Sequence, residues 1–369
     1  MSDDFKEKLK AYAEGTLSEE DKALMEKELE KLELYQEFLD EQSDFNYEKE
    51  PNFEEIMMLN QDKIIKKSKW KARLQNACIV LIIFNILFLI SQTITSKYYN
   101  LGNPSKETLY RNTIKATIEA TRPNTDAHGS TMRKGIFFSR EIGIQYSKQV
   151  GKDEIDEGNL TVKFSFKNPE VITDKSPSTS NLDNYYFNAG AFSGEDMNFN
   201  SDSTMWNTLE KLPEGTVTEA HITFNKLYET DEVLNLFKGK DMELLWLAVD
   251  TGIQENSNTL LGFPHTEDFP TLRRNWFDPP PTVVKKYENG KFRNDYFIDT
   301  LKFLNEQKAI VRAINTEANL EGALDYINKN GVKIIGVTVT GPTKEILKLR
   351  EENLVRLIRV GESRLWNWD

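Results

Sequence analysis

Histidine, cysteine and neighbouring carboxylates are the side chains that could give this chain a chemical activity. Of its three histidines, His265 has the most promising surroundings, because Glu267 and Asp268 follow it in the stretch GFPHTEDFP. Such a group could ligate a metal ion or transfer a proton, whereas a plain loop histidine would do neither. The sequence has no HExxH, no GxSxG, no phosphate-binding loop and no carboxylates grouped at metal-ligand spacing. The pattern predicts a protein that is not an enzyme and carries no cofactor or metal.

The overall charge bears on the class of partner. The 369 residues include 47 Lys and Arg against 59 Asp and Glu, a formal net charge of −12 at pH 7. A nucleic-acid binder needs a basic surface to neutralise phosphates, so the composition predicts no direct contact with nucleic acid. The single cysteine, Cys78, excludes an intramolecular disulfide framework and a cysteine-rich metal site.

The charges are distributed unevenly along the chain. Residues 1–62 contain 20 acidic and 7 basic side chains. Residues 63–73 contain six basic side chains and no acidic one, and they lead straight into an uncharged stretch. This arrangement predicts an acidic amino-terminal segment, a basic juxtamembrane segment and a membrane span, in that order.

The uncharged stretch runs from Leu74 to Ser96 and predicts a transmembrane helix. Its 23 residues would reach about 35 Å as an α-helix, enough to cross the hydrocarbon core of a bilayer. A buried core helix is the structural alternative. A signal peptide is disfavoured, because 76 residues precede the apolar run that begins at Ala77 and no small-residue cleavage pattern follows it.

Basic residues set the predicted orientation of this span. The six on its amino-terminal side outnumber Lys97, Lys106 and Arg111, which are spread over the far side, and cytoplasmic flanks carry the excess of Lys and Arg. We therefore expect a single-pass protein of the cell membrane, in contact with membrane lipid, with its amino terminus cytoplasmic and its carboxy-terminal part extracytoplasmic. Asn85, near the middle of the span, is either a tolerated polar residue or a contact for another transmembrane helix.

The acidic segment is patterned as helices rather than as a packed globule. Gly15 interrupts a first helix, and Ser18 is a predicted N-cap for a second. The second helix carries apolar side chains at three- and four-residue steps: Leu24, Met25, Leu29, Leu32, Tyr35, Phe38 and Leu39. Two such helices bury little surface alone, so we expect these positions to complete their burial against another protein. The alternative is a self-contained helical hairpin with a solvated acidic face.

The stretch LKAYAEGTLSEEDKALMEKELEKLELYQEFLDE resembles the amino-terminal domain of bacterial anti-sigma factors. In many members a histidine and two cysteines on the second helix bind zinc. The aligned positions here are Glu28, Leu32 and Tyr35, which cannot form a zinc site of that kind. The resemblance therefore implies a zinc-free head.

The part that follows the span is long enough for a core of its own. The predicted helices cover 106–121, 231–237, 296–314, 320–328 and 344–353. The predicted strands lie at GIFFS near 135, at IGIQYS near 142, and at 160–166, 217–224 (with alternating faces), 242–249, 332–339 and 355–360. Residues 168–213, rich in Asn, Ser and Asp, are expected to form a long surface excursion. An α/β or α+β domain follows from this mixture.

Two stretches of this part also resemble a known family. TVTEAHITFNKLYETDEVLNLFKGKDMELLWLAVDTG and ALDYINKNGVKIIGVTVTGPTKEILKLREEN are similar to the beginning and the end of the sigma-factor-regulator domain of single-pass anti-sigma factors in Gram-positive bacteria. The layout is similar to that of membrane anti-sigma factors that restrain sigma-M. The predicted parts are a small all-α cytoplasmic head (1–62), a basic segment (63–73), one transmembrane helix (74–96), an extracytoplasmic linker and strand-rich region (97–213) and an α/β or α+β regulator domain (214–369).

The resemblance implies that the acidic head sequesters an extracytoplasmic-function sigma factor while the outer domain senses the state of the cell envelope. It also implies a small membrane protein as a second partner, for which Asn85 is a contact. The expected sigma-factor contacts are apolar anchors and steering carboxylates: Leu24, Leu29, Leu32, Tyr35, Phe38, Leu39, Glu19, Glu20, Glu28 and Glu30. The alternative function is a tethered extracytoplasmic ligand-binding protein or enzyme whose cytoplasmic segment serves only as an anchor.

Overall fold

The computed structural model describes residues 3–43, 53–175, 187, 201–252, 260–273 and 281–368. By compactness the chain divides into two units, Met1–Ile82 and Ile83–Asp369. We describe each by itself and call the second the larger unit.

The amino-terminal unit begins with two helices that contact each other, α1 (Asp3–Ala13) and α2 (Glu19–Ser43). Between them Gly15 adopts a left-handed backbone with a φ of 68°, which glycine accepts without steric cost. Ser18 begins α2, because its Oγ accepts the Asp21 N–H at 3.2 Å. The predicted interruption at Gly15 and the predicted N-cap at Ser18 are confirmed.

A long helix, α3 (Phe53–Asn100), follows. Within the part of the chain that the structure describes, one helix is long and apolar enough to cross a membrane, and it is the section Ile65–Asn100 of α3, which contains an 18-residue window with a mean hydropathy of 2.4. Every side chain from 65 to 90 is exposed. The predicted span, 74–96, lies inside this section, and a run of exposed apolar side chains is what a lipid-facing helix requires.

The first sheet of the larger unit is a four-stranded antiparallel meander packed on a helix. Its elements are α4 (Lys106–Thr121), β1 (Asp126–Lys134), β2 (Ser139–Val150), β3 (Asp153–Ser165) and β4 (Asn168–Lys175), in the spatial order β1-β2-β3-β4. On α4, Ile114 and Ile118 are fully buried against this sheet. Ala116 and Ala120, on another face of α4, belong to the core of the second sheet. One helix therefore serves both cores.

The remaining elements build the second sheet and its covering helices. In chain order they are α5 (Ser201–Lys211), β5 (Thr216–Tyr228), α6 (Thr230–Phe237), β6 (Glu243–Val249), β7 (Leu261–Pro264), β8 (Asp268–Phe269), β9 (Thr282–Val283), α7 (Gly290–Glu306), α8 (Lys308–Ile314), α9 (Leu320–Asn330), β10 (Ile334–Pro342), α10 (Thr343–Lys348) and β11 (Val355–Leu365). The sheet order is β11-β5-β10-β6-β7, and β8 pairs with β9 separately. Every strand pair among the described residues is antiparallel. Of the two predicted alternatives, the larger unit is therefore α+β.

Four predicted elements differ from the structure. GIFFS is not a strand but the turn between β1 and β2, where Phe137 and Phe138 have left-handed φ values of 52° and 61°. The expected surface excursion at 168–213 contains β4 and α5, and Trp206 and Leu209 of α5 are buried. The helix predicted at 296–314 begins at Gly290 and breaks at Gln307 into α7 and α8. The helix predicted at 344–353 ends early, as α10.

The fifth difference concerns β5, which was expected to alternate between a buried and an exposed face. Residues 216–224 of β5 are buried without interruption, because β11 and β10 pair with both edges and both faces are covered. Ile222 faces the helices of the second core. On the opposite face, the His221 ring contacts the ring of Phe187, with centroids 5.8 Å apart.

A buried ionic cluster joins the two sheets. Lys148 of β2 places its Nζ 3.0 Å from Glu157 Oε1, 3.1 Å from Glu362 Oε2 and 3.6 Å from Glu219 Oε2. Asn124 also donates to Glu219 Oε1, at 2.6 Å. Burial lowers the pKa of the Lys148 ammonium, but Glu219 and Glu157 outweigh it, so that the pKa is raised and Lys148 remains charged.

Candidate functional site

The amino-terminal unit exposes an apolar stripe along α2. Leu24, Leu32, Tyr35 and Leu39 share one helix face with Glu28, because their spacings are multiples of three and four residues. The four apolar side chains are between 45% and 62% exposed. We call these five residues the α2 stripe. It presents more apolar surface than a solvated helix needs.

The other apolar residues of α2 divide between two roles. Met25 is 4% exposed, so it is buried within the unit, whereas the sequence placed it in the apolar series expected to complete its burial against another protein. Leu29, an expected contact, is half-buried. Phe38 lies beside the stripe and is 52% exposed. Leu34 is 60% exposed. It projects from a different face of α2 than Leu32, because the two residues are only two positions apart in the helix.

The expected steering carboxylates do not lie together. Glu28 is inside the α2 stripe, whereas Glu30 lies on another face of the helix and Glu19 and Glu20 are in its first turn. All four are exposed. Carboxylates in the first turn stabilise the helix through their favourable interaction with its dipole, and they also contribute to the negative charge of the segment.

The carboxy-terminal end of α3 belongs to the larger unit. Three of its polar side chains, which sequence reasoning missed, attach it to the turn between β1 and β2. Ser91 Oγ accepts the Phe137 N–H at 2.9 Å, and Thr95 Oγ1 accepts the Phe138 N–H at 3.0 Å. The Tyr99 hydroxyl lies 2.8 Å from the Phe138 carbonyl oxygen. Polar residues at positions i, i+4 and i+8 of an otherwise apolar helix are the signal that could have found them. Asn85, in contrast, is on the exposed part of α3.

His265 is held by the backbone rather than by carboxylates. Its Nδ1 lies 2.9 Å from the Leu244 carbonyl oxygen and its Nε2 lies 2.6 Å from that of Lys286. Burial and the nearby Arg293 guanidinium lower the pKa of His265 to about 4, outweighing the two carbonyl oxygens, which favour the protonated ring. The neutral ring carries one N–H and donates it to one of these two carbonyl oxygens.

One histidine does have carboxylates close by. Asp126, His128 and Glu154 place one potential ligand atom each within 4.8 Å of the others, a grouping that the sequence did not reveal because β1 and β3 bring it together. Ser147 lies between His128 and Glu154, 3.3 Å from the ring Nδ1 and 2.5 Å from the carboxylate. Both carboxylates are exposed, and the hydrogen bonds of Ser147 link His128 to Glu154.

Comparison with known proteins identifies the family to which this chain belongs. The model described as sigma factor regulator N-terminal matches residues 62–155, and the one described as sigma factor regulator C-terminal matches residues 209–362. The chain belongs to the sigma factor regulator family. It is also 29% identical, over 378 residues covering 100% of both chains, to the probable anti-sigma-M factor YhdL of Bacillus subtilis (strain 168). No solved structure matches significantly.

The family predicted from the resembling stretches is therefore confirmed. Members are anti-sigma factors and regulators of transcription rather than catalysts, and the candidate span in α3 is consistent with a membrane-anchored regulator of this kind. The two matched regions contain α3 and both sheets, while α1 and α2 precede them. The alignment with the Bacillus relative extends over those two helices as well.

Proposed function

We propose that this regulator sequesters an extracytoplasmic-function sigma factor on the α2 stripe, at the cytoplasmic face of the membrane, and that its larger unit responds to the state of the cell envelope outside. The observation that carries the sigma-factor contact is the stripe itself. Four apolar side chains in register on one helix, each about half exposed, stabilise a complex when a partner excludes water from them.

Charge supports the same partner. Residues 1–62 hold 20 acidic against 7 basic side chains, and a sigma factor must present basic surfaces to promoter DNA. Exposed carboxylates such as Glu19, Glu20 and Glu30 would speed the encounter with a basic surface, and the speed would fall as salt screens them. Burial of the stripe would then slow dissociation.

The orientation follows from the basic residues at 63–73, which precede the span and favour the cytoplasmic side. The division into a head at 1–62, a span at 74–96 and an outer part from 97 onward is part of this proposal. A small membrane co-regulator would find Asn85 on the exposed surface of α3, where an interhelical hydrogen bond to its amide contributes about 0.6–2 kcal/mol.

The sigma-factor contact is tested with the full-length chain in the membrane of its own cell. Each extracytoplasmic-function sigma factor of that cell is assayed for co-purification and for transcription from its promoters. Polar substitution of Leu32 and Leu39, each about half exposed, removes about 2–3 kcal/mol of apolar burial on binding. The affinity should fall about 30- to 150-fold and transcription should rise accordingly.

A matched control lies two residues along the same helix. Leu34→Ser removes the same side chain as Leu32→Ser at a similar exposure but from a different face, so it should leave the affinity nearly unchanged. Equal losses for both substitutions would place the contact elsewhere on α2. Unchanged transcription by every sigma factor, with the intact chain present or deleted, would favour the alternative in which the head is only an anchor.

A further inference from the structure

Two turns beside the end of α3 expose aromatic side chains. The β1–β2 turn spans residues 135–138 and the β3–β4 turn spans residues 166–167; we call them the aromatic turns. Phe137 is 71% exposed, Phe166 50% and Ile136 38%. The exposed basic residues Lys134 and Lys167 flank these tips. Exposed apolar side chains at the tips, with basic residues beside them, are typical of an interaction surface, because exposing apolar side chains to water is unfavourable.

The position of the turns along α3 is fixed by hydrogen bonds. Phe137 N–H donates to Ser91 Oγ at 2.9 Å, and Ser91 lies within the uncharged stretch Leu74–Ser96, six residues before Lys97. Six residues of α-helix rise about 9 Å. The headgroup layer on each side of a bilayer is about 5–8 Å thick. With Lys97 at the level of the phosphates, the tip of the first turn reaches the upper edge of the hydrocarbon.

The backbone of the turns is strained in a way that presents these side chains. Phe137, Phe138 and Phe166 have φ values of 52°, 61° and 58°, a left-handed conformation that costs a bulky residue about 1–2 kcal/mol and that glycine would adopt freely. The stacked rings of Phe138 and Phe166, with centroids 4.3 Å apart, hold the two turns together. Tyr98 packs edge-on against both rings.

We propose that the aromatic turns insert into the lipid–water interface of the leaflet at the carboxy-terminal end of the span. Ile136, Phe137 and Phe166 lie at the boundary between headgroups and acyl chains, where aromatic side chains are favoured. Lys134 and Lys167 contact the phosphates of anionic phospholipids. The insertion depends on α3 crossing the bilayer, as in the proposed function, and does not depend on the sigma factor. The larger unit then rests on the membrane at a fixed tilt.

The test uses the full-length chain, purified and reconstituted in vesicles of phosphatidylcholine with phosphatidylglycerol and no other protein. Its native cysteine is removed by Cys78→Ser, and Ile136→Cys carries an environment-sensitive fluorophore, leaving Phe137 and Phe166 intact. Leu227→Cys is the matched control, because Leu227 is about as exposed as Ile136, at 36% against 38%, and lies on β5 of the second sheet. Asn85→Cys reports whether α3 crosses the bilayer.

The label at Ile136 should be quenched by a lipid carrying its quencher near the headgroup, and its quenching by iodide in the water should be several-fold weaker than at Leu227. Adding Phe137→Ser should raise iodide quenching at Ile136. A label at Ile136 that iodide reaches as readily as at Leu227, while the label at Asn85 stays in the lipid, would overturn the insertion alone. A label at Asn85 that iodide reaches would overturn the membrane span and with it the proposed function.

Discussion

Thr95 is the residue at which the attachment of α3 to the first sheet can be tested most sharply. It is 1% exposed, and its Oγ1 accepts the Phe138 N–H at 3.0 Å. Thr95→Val keeps the shape of the side chain and removes the acceptor, leaving a buried N–H without that partner. Such a loss costs about 1–3 kcal/mol. Local opening of the β1–β2 turn should therefore become about 5- to 150-fold more frequent.

Hydrogen–deuterium exchange of the full-length chain in lipid nanodiscs measures this opening, through peptides that contain Phe138. Thr93→Val is the control on the same helix, because Thr93 Oγ1 bonds only to Leu89 O within α3 among the contacts described here and its side chain is exposed. Exchange at Phe138 should accelerate in Thr95→Val and stay at its original rate in Thr93→Val. If both variants exchange alike, Thr95 does not hold the turn.

Two further outcomes concern the stability of the larger unit. Because the pKa of His265 is lowered from its ordinary 6.5 to about 4, the unfolded state binds its proton first, so stability is present above pH 6.5 and is lost as the pH falls from about 6.5 to 4. By pH 5 the loss should reach about 2 kcal/mol, and denaturant titrations should show a smaller acid dependence in His265→Gln; an equal dependence in both chains would contradict this. Arg140 is 3% exposed and its guanidinium lies 3.0 Å from the Glu107 carboxylate, which is 21% exposed, so Glu107→Leu should cost about 3–5 kcal/mol by leaving the buried guanidinium unpaired. The same titrations should show a smaller loss for Arg140→Met, because water reaches the Glu107 carboxylate, and equal losses would mean that the ion pair is not the source of the effect.

Local signals predicted the elements whose boundaries are set by their own residues. Ser18 caps α2 as expected, and the helix predicted at 106–121 coincides with α4, since an N-cap and a following proline act within one turn of the chain. The β-branched run near 335 likewise predicted β10. Such elements need no knowledge of the tertiary fold.

The failures occurred where tertiary contacts decide the outcome. GIFFS has the composition of a strand, but hydrogen bonds to Ser91 and Thr95, more than forty residues earlier in the chain, hold it as a turn. The polar composition of 168–213 concealed α5, whose Trp206 and Leu209 are buried. The α2 stripe was visible because helical periodicity is local, whereas the burial that separates Met25 from Leu32 depends on which face of α2 the fold covers.

Helix α4 packs into both hydrophobic cores of the larger unit. Ile114 and Ile118 belong to one core, and Ala116 and Ala120 to the other. Only five residues, 101–105, separate α4 from α3. A rotation of α3 that is transmitted to α4 through this short link would displace α4 in both hydrophobic cores together. Neither core could repack independently of the other. We therefore expect an all-or-none response from this part of the protein, with a threshold, in place of a graded bend.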